Sequence, residues 1–239
     1  MTMQVPAIGV ILPSSNRVVE RVTKSILADF PGVDACFSRV PYAGHPPDGY
    51  DLDPFLYSAM MLAQAKPRII LWNATRGALL GFEPDRKLCA LIERETGIPA
   101  TTTALETSAL LNSLALTRIV LLQQGDAEEG ARLSTTFATQ GISIVARHDF
   151  GINDNFEASS ITADEIAHRA TDLASHHPDA ILIWSTNLDG HPLTGELSKE
   201  LGIPVFDSAA VGTLAAIRRL PIEDGTAYEE RIAFRAVSV

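Results

Sequence analysis

Pro67-Arg-Ile-Ile-Leu-Trp-Asn-Ala-Thr-Arg-Gly77 and Pro178-Asp-Ala-Ile-Leu-Ile-Trp-Ser-Thr-Asn-Leu188 follow one pattern, an apolar strand running into a polar turn. Ala74-Thr75-Arg76 aligns with Ser185-Thr186-Asn187 at a spacing of 185 − 74 = 111 residues. The opening runs Ile8-Gly-Val-Ile-Leu12 and Arg118-Ile-Val-Leu-Leu122 lie at nearly that spacing. Thr96-Gly-Ile-Pro99 matches Leu201-Gly-Ile-Pro204 at 204 − 99 = 105, so the copies differ by a short indel. Each copy is far longer than a solenoid repeat, which reads as a duplicated domain. Strand, helix and Gly-Ile-Pro punctuation shared by any two α/β units is the competing explanation.

Outward from these strands, short β-rich runs alternate with longer helical patterns. Strands are expected at 7–12, 34–40, 68–73 and 99–102, with helices at 16–29, 52–65, 83–96 and 105–115, and the second half repeats the order. That alternation predicts parallel sheets covered by helices. Val18, Val19, Val22, Ile26 and Leu27 recur at helical spacing behind Asn16, a residue suited to an N-cap. Thr162-Ala-Asp-Glu165 reads as a capping box ahead of Ile166, Ala170, Leu173 and Ala174.

Composition narrows the functional classes. The chain has 239 residues, 46% of them hydrophobic, enough for a substantial core. A net charge of −10 without a basic run argues against a nucleic-acid surface, but leaves open a locally positive pocket for a small anion. Two cysteines, Cys36 and Cys89, make neither a disulfide framework nor a metal cluster. With no apolar run of bilayer length and no signal-like N-terminus, a cytoplasmic protein without a membrane partner is expected. No P-loop, Gly-x-Gly-x-x-Gly fingerprint or metal-spaced His/Asp/Glu cluster is present, so neither cofactor nor metal is expected. Phe55, Leu56, Met60 and Met61 would permit a helix-mediated homo-oligomer, or would pack in the core.

In parallel sheets, ligands bind at the carboxyl ends of the strands. Four loops there carry polar residues: Pro13 to Asn16, Ala74 to Gly77, Gln123 to Asp126, and Ser185 to Asn187. If the halves face each other, these loops converge.

Ile8-Gly-Val-Ile-Leu-Pro-Ser-Ser-Asn16 with Glu20, Pro47-Asp-Gly-Tyr-Asp51, Phe150-Gly-Ile-Asn-Asp-Asn155 and Ser185-Thr-Asn-Leu188 together resemble the aspartate/glutamate racemase superfamily, in its maleate cis-trans isomerase and arylmalonate decarboxylase branch. The resemblance spans roughly residues 7 to 217. It implies two pseudo-symmetric Rossmann-like (flavodoxin-like) α/β domains, 1–114 plus 208–239 and 115–207, with a C-terminal helix returning to the first. It also implies a cofactor-free interdomain cleft for a small carboxylate or dicarboxylate.

In two-thiol members of the superfamily a cysteine from each half flanks the substrate; the matching positions here are Ala74 and Ser185. The decarboxylase's first-half serine is replaced by Arg76, and Gly125 stands where its tyrosine would be. The expected site is therefore Ser14, Ser15, Asn16, Tyr50, Ala74, Thr75, Arg76, Thr186 and Asn187 around Ser185 as a catalytic candidate, with Tyr42, His45 and His191 at the rim. Thr75, Thr186 and Asn16 serve either as helix caps or as donors to a carboxylate. Arg76 either grips an anion bidentately or forms a surface ion pair with Glu83 or Asp85. Ser185 needs an adjacent base to react, and His191 beside Asp189 is the candidate. Three activities stay open: an isomerase or decarboxylase with altered acid-base groups, a non-catalytic carboxylate-binding protein, and a Ser/His hydrolase.

Overall fold

A computed structural model describes residues 5–41 and 49–221. The first sheet is built from β1 (Ala7–Pro13), β2 (Asp34–Val40), β3 (Ile69–Trp72) and β4 (Ala100–Thr102) in the order 2-1-3-4. The second is built from β5 (Arg118–Gln123), β6 (Ser143–Asp149), β7 (Ala180–Trp184) and β8 (Val205–Asp207) in the order 6-5-7-8. Every pairing between these strands is parallel. The expected two-domain α/β architecture is borne out.

Strand register carries the duplication down to single residues. Ile8 pairs with Ile69 in the first sheet and Ile119 with Ala180 in the second, both partners being displaced by 111. Ile70 pairs with Ala100 and Ile181 with Val205, so the outer strands are displaced by 205 − 100 = 105. The indel therefore lies between the third and fourth strands of each unit. Both Gly-Ile-Pro segments end a helix at a left-handed glycine, Gly97 (φ 70°) after α4 (Glu83–Thr96) and Gly202 (φ 68°) after α9 (Thr194–Leu201). Glycine adopts that conformation without the Cβ penalty of other residues, and the following Pro cannot continue the helix.

Side-chain alternation distributes each central strand between two cores. From β3, Ile69 and Leu71 face a cluster with α1 (Val19–Leu27), while Ile70 and Trp72 face one with α2 (Leu52–Ala63) and α4. From β7, Ile181 and Ile183 pack on α8 (Ala163–Ala174) and α9, while Leu182 and Trp184 face the first domain. Each such Ile or Leu, fully buried, contributes roughly 1.5–3 kcal/mol.

The interdomain core joins Ala78 of α3 (Arg76–Leu79), Phe82, and Ala104 and Leu111 of α5 (Thr103–Ser113) to Leu133 and Phe137 of α6 (Ala127–Ala138). Phe137 lies edge-on to Phe82 and to Trp184, at 6.0 and 5.3 Å between ring centroids. A short α7 (Asn155–Ala158) follows β6. The last described helix, α10 (Ser208–Arg218), returns from β8 to place Ala209, Ala210, Ala216 and Ile217 in the α1 cluster of the first sheet.

The helix-start signals are realised with shifts. Thr162 accepts the Glu165 N–H and caps α8, as expected. Helix α1 begins at Val19, because Asn16 Oδ1 accepts the N–H groups of both Val18 and Val19 and ends the loop there. On α2, Phe55 is core, but Met60 and Met61 are about half exposed. Among the described residues, no helix is long and apolar enough to cross a membrane.

Candidate active site

The loops after β1, β3, β5 and β7 meet between the domains around a cavity of about 50 Å³. Its wall includes Ala74, Thr75, Arg76, Gln124, Gly125 and Glu129, and continues through Asn155, Trp184, Ser185, Thr186 and Asn187. Six of the expected residues, Ala74, Thr75, Arg76, Ser185, Thr186 and Asn187, are thus brought together.

Asn16 holds the two halves in register. Its Oδ1 caps α1, while its Nδ2 donates to the Thr186 carbonyl and Thr186 Oγ1, at 3.1 Å each. Asn187 Oδ1 accepts the Arg17 N–H, and Arg21 pairs with Asp189 at 2.7 Å. Asn16 is fully buried, and both ends of its amide serve this joint. A direct carboxylate contact would have to displace Thr186 from it.

Ser185 is part of a relay of amides and hydroxyls. Its hydroxyl donates to Gln124 Oε1 at 2.7 Å and accepts the Asn187 N–H at 3.2 Å. Gln124 Nε2 donates to Asn155 Oδ1, and Asn155 Nδ2 donates to Ser15 Oγ. A hydroxyl has one proton, and here it points at an amide carbonyl, which is no base near neutrality. The Ser185 hydroxyl thus has Gln124, not the expected His191, as its acceptor; His191 is buried in the 3₁₀ turn His191–Leu193, its backbone carbonyl accepting from Thr194 Oγ1.

Arg76 corrects another expectation. It is not at the surface: the side chain is 4% exposed, and its Nη1 lies 3.9 Å from Glu129 Oε1 across the domain interface. Glu83 pairs instead with Arg86 and Lys87. Asp85 is buried, accepting from Tyr50 Oη (2.5 Å) and from Thr102 Oγ1. Burial pushes Asp85 up to about 6 despite these donors and the Arg86 charge. Tyr50, expected in the site, does not line the cavity: it donates to Asp85, accepts from Trp72 Nε1 at 3.3 Å and packs on Phe55. Ser14 is exposed, its N–H bonded to Val40. Tyr42 and His45 lie outside the described residues.

Neither cysteine stands in for a missing thiol. Cys36 is in β2; Cys89 is buried in α4, and burial together with the Asp85 and Glu93 charges pushes its thiol up to about 12. Among the described residues no group of three or more His, Cys, Asp or Glu could hold a metal ion.

Sequence reasoning missed Gln124, Asn155 and Glu129 as individual site residues. Gln124 lies in a loop already singled out, and Asn155 ends the Phe150–Asn155 segment. Glu129 had only its spacing, four residues beyond Gly125 on the first turn of a helix, as a signal. A Cβ at Gly125 would come within 1.8 Å of Glu129 Oε2, so the carboxylate fills the space beside the position that the resemblance gives to a tyrosine.

The arrangement offers a buried guanidinium, a carboxylate and several hydrogen-bond donors on a partly apolar floor. Comparison with known proteins agrees with that architecture. A maleate isomerase from Nocardia farcinica is 25% identical over 231 residues, covering 92% of both chains. Its solved structure with a covalently bound succinylcysteine intermediate superposes with a TM-score of 0.80 at 20% identity, over 92% of this chain and 94% of that one. A liganded arylmalonate decarboxylase variant gives 0.76 at 21% identity, over 89% and 92%. The profile of the arylmalonate decarboxylase family matches residues 59–233. The chain therefore belongs to the arylmalonate decarboxylase family, within the maleate isomerase and decarboxylase branch of the aspartate/glutamate racemase superfamily.

Proposed function

We propose that this protein is an enzyme that binds a small carboxylate or dicarboxylate between its domains and performs isomerase- or decarboxylase-like proton chemistry beside that group, without a thiol. The observation that carries this reading is Arg76. A buried guanidinium in a cavity wall with Thr75, Thr186 and Asn187 suits bidentate capture of a carboxylate. The cavity's size supports a compact ligand, since one water needs about 10–15 Å³. The covalent route implied by the succinylcysteine adduct of the Nocardia relative needs a nucleophilic sulfur. Ala74 and Ser185 at the matching positions do not supply that sulfur, which supports proton transfer as the chemistry of this cleft.

A second reading, a carboxylate-binding protein without turnover, is favoured by one observation: the Ser185 proton is directed at Gln124. Proton NMR in D₂O with maleate, malonates, aspartate, glutamate and hydantoins separates the two. Isomerised, decarboxylated or deuterated product supports the enzyme, and ligand line-broadening without product supports the binding protein. Arg76→Lys keeps the charge but loses the planar fork, so malonate affinity should fall by about tenfold or more. Unchanged affinity would remove Arg76 from the ligand and the carboxylate reading with it.

A further inference from the structure

Glu129 is a carboxylate in the cavity wall, and its position is built by the chain around it. Asp126 Oδ1 accepts the N–H groups of Glu128 and Glu129 at 3.0 Å each, fixing the first turn of α6. The Glu129 side chain folds back over Gly125, where a single Cβ would collide with its carboxylate. Arg76 faces it at 3.9 Å, a loose ion pair between two domains.

We propose that Glu129 is the proton-transfer group of this cleft, with Arg76 exchanging partners: it holds Glu129 at first and turns to the substrate carboxylate as that enters. The inference rests on the carboxylate reading above. Burial already favours the protonated form of Glu129, opposed chiefly by Arg76; on its own helix Asp126 and Glu128 add to the effect and Arg132 opposes it. Transfer of Arg76 to the substrate weakens the main opposing charge, and Glu129 takes up a proton. In a decarboxylation, the C–C bond to the departing CO₂ breaks and its electron pair stays on the α-carbon as an enediolate. The Glu129 O–H bond then breaks, its proton forms the new C–H bond, and Glu129 is left as a carboxylate. It returns to Arg76 as product leaves and is reprotonated from solvent at the next binding event.

Calorimetric titration of malonate at pH 6.5, in two buffers of different ionisation enthalpy, counts the protons taken up on binding. The wild type should take up protons on binding that Glu129→Gln does not, because the linked group is missing in the variant. Gly125→Ala should fold normally, since the clash is with the far end of a flexible side chain, and should lose the same uptake. For any substrate turned over in the NMR panel, Glu129→Gln should lose about 100-fold or more in rate with malonate affinity within a few fold. Glu129→Asp should recover the proton uptake.

Equal uptake in wild type and Glu129→Gln, or undiminished turnover in that variant, overturns the assignment while leaving carboxylate binding intact. Failure of the wild type to bind malonate or any other carboxylate of the panel is a different result. It refutes the carboxylate reading, and this inference falls with it.

Discussion

Asp207 gives the fold a pH dependence that can be worked out from its surroundings. It ends β8 and caps α10, its Oδ1 accepting the Ala210 N–H at 2.8 Å, with its Oδ2 buried near Gly190. Burial, reinforced by the Asp189 charge, pushes its carboxyl up to about 7 from 3.8, against the lowering effect of the cap. Between those values the folded state binds more protons than the unfolded one, so stability is lost as pH rises through the window. A difference of about 3 pH units, at about 1.4 kcal/mol each, makes this loss about 4 kcal/mol by pH 8.

Asp207→Asn keeps a good N-cap and removes the ionisation. Its amide costs about 1–3 kcal/mol if the buried NH₂ finds no acceptor, so the pH slope is a cleaner readout than absolute stability. Urea unfolding at pH 5, 6.5 and 8 should show the variant gaining on the wild type as pH rises. Parallel stability profiles would refute the argument, because they would mean that Asp207 titrates alike in the folded and unfolded states.

Tyr50→Phe removes a donor to Asp85, and should cost about 1.5–3 kcal/mol at pH 8, where that carboxylate is ionised, but less at pH 5. Equal losses in denaturation at both pH values would contradict the role of Tyr50. Asn16→Asp retains the oxygen that caps α1 but turns a second oxygen toward the Thr186 carbonyl, so it should destabilise by about 2–4 kcal/mol. Wild-type stability in thermal unfolding would mean that the Asn16–Thr186 bridge does not hold the domains.

The fold was legible because its determinants are local and occur twice. The apolar run at β3 and β7, the Gly-Ile-Pro that follows α4 and α9, and the 111-residue spacing all appear in the primary sequence before any contact is known. Helix starts were less legible: Thr102 accepts the Leu105 N–H and starts α5 at Thr103, two residues before the apolar pattern suggested. The site was legible only as loop positions. Arg76 is buried because Glu129 and the α6 face lie opposite, and Asn16 meets Thr186 across 170 residues of chain. Tyr50 was misplaced for a related reason, since its partner Asp85 lies 35 residues further along the chain and nothing in the sequence marks that aspartate as buried.

The residues that line this cleft depend on one another. Glycine at 125 makes room for the Glu129 carboxylate, and the carboxylate in turn meets the guanidinium at position 76. The Ser185 hydroxyl is matched by Gln124, and Gln124 by Asn155, whose own donor reaches Ser15. Loss of function without replacement relaxes positions independently, and a buried arginine left without a carboxylate would be strongly destabilising. Gly125, Glu129 and Arg76 instead fit one another across the two domains. Under the proposed function that fit belongs to a proton-transfer site, and it makes Glu129, rather than Ser185, the residue on which the two readings divide.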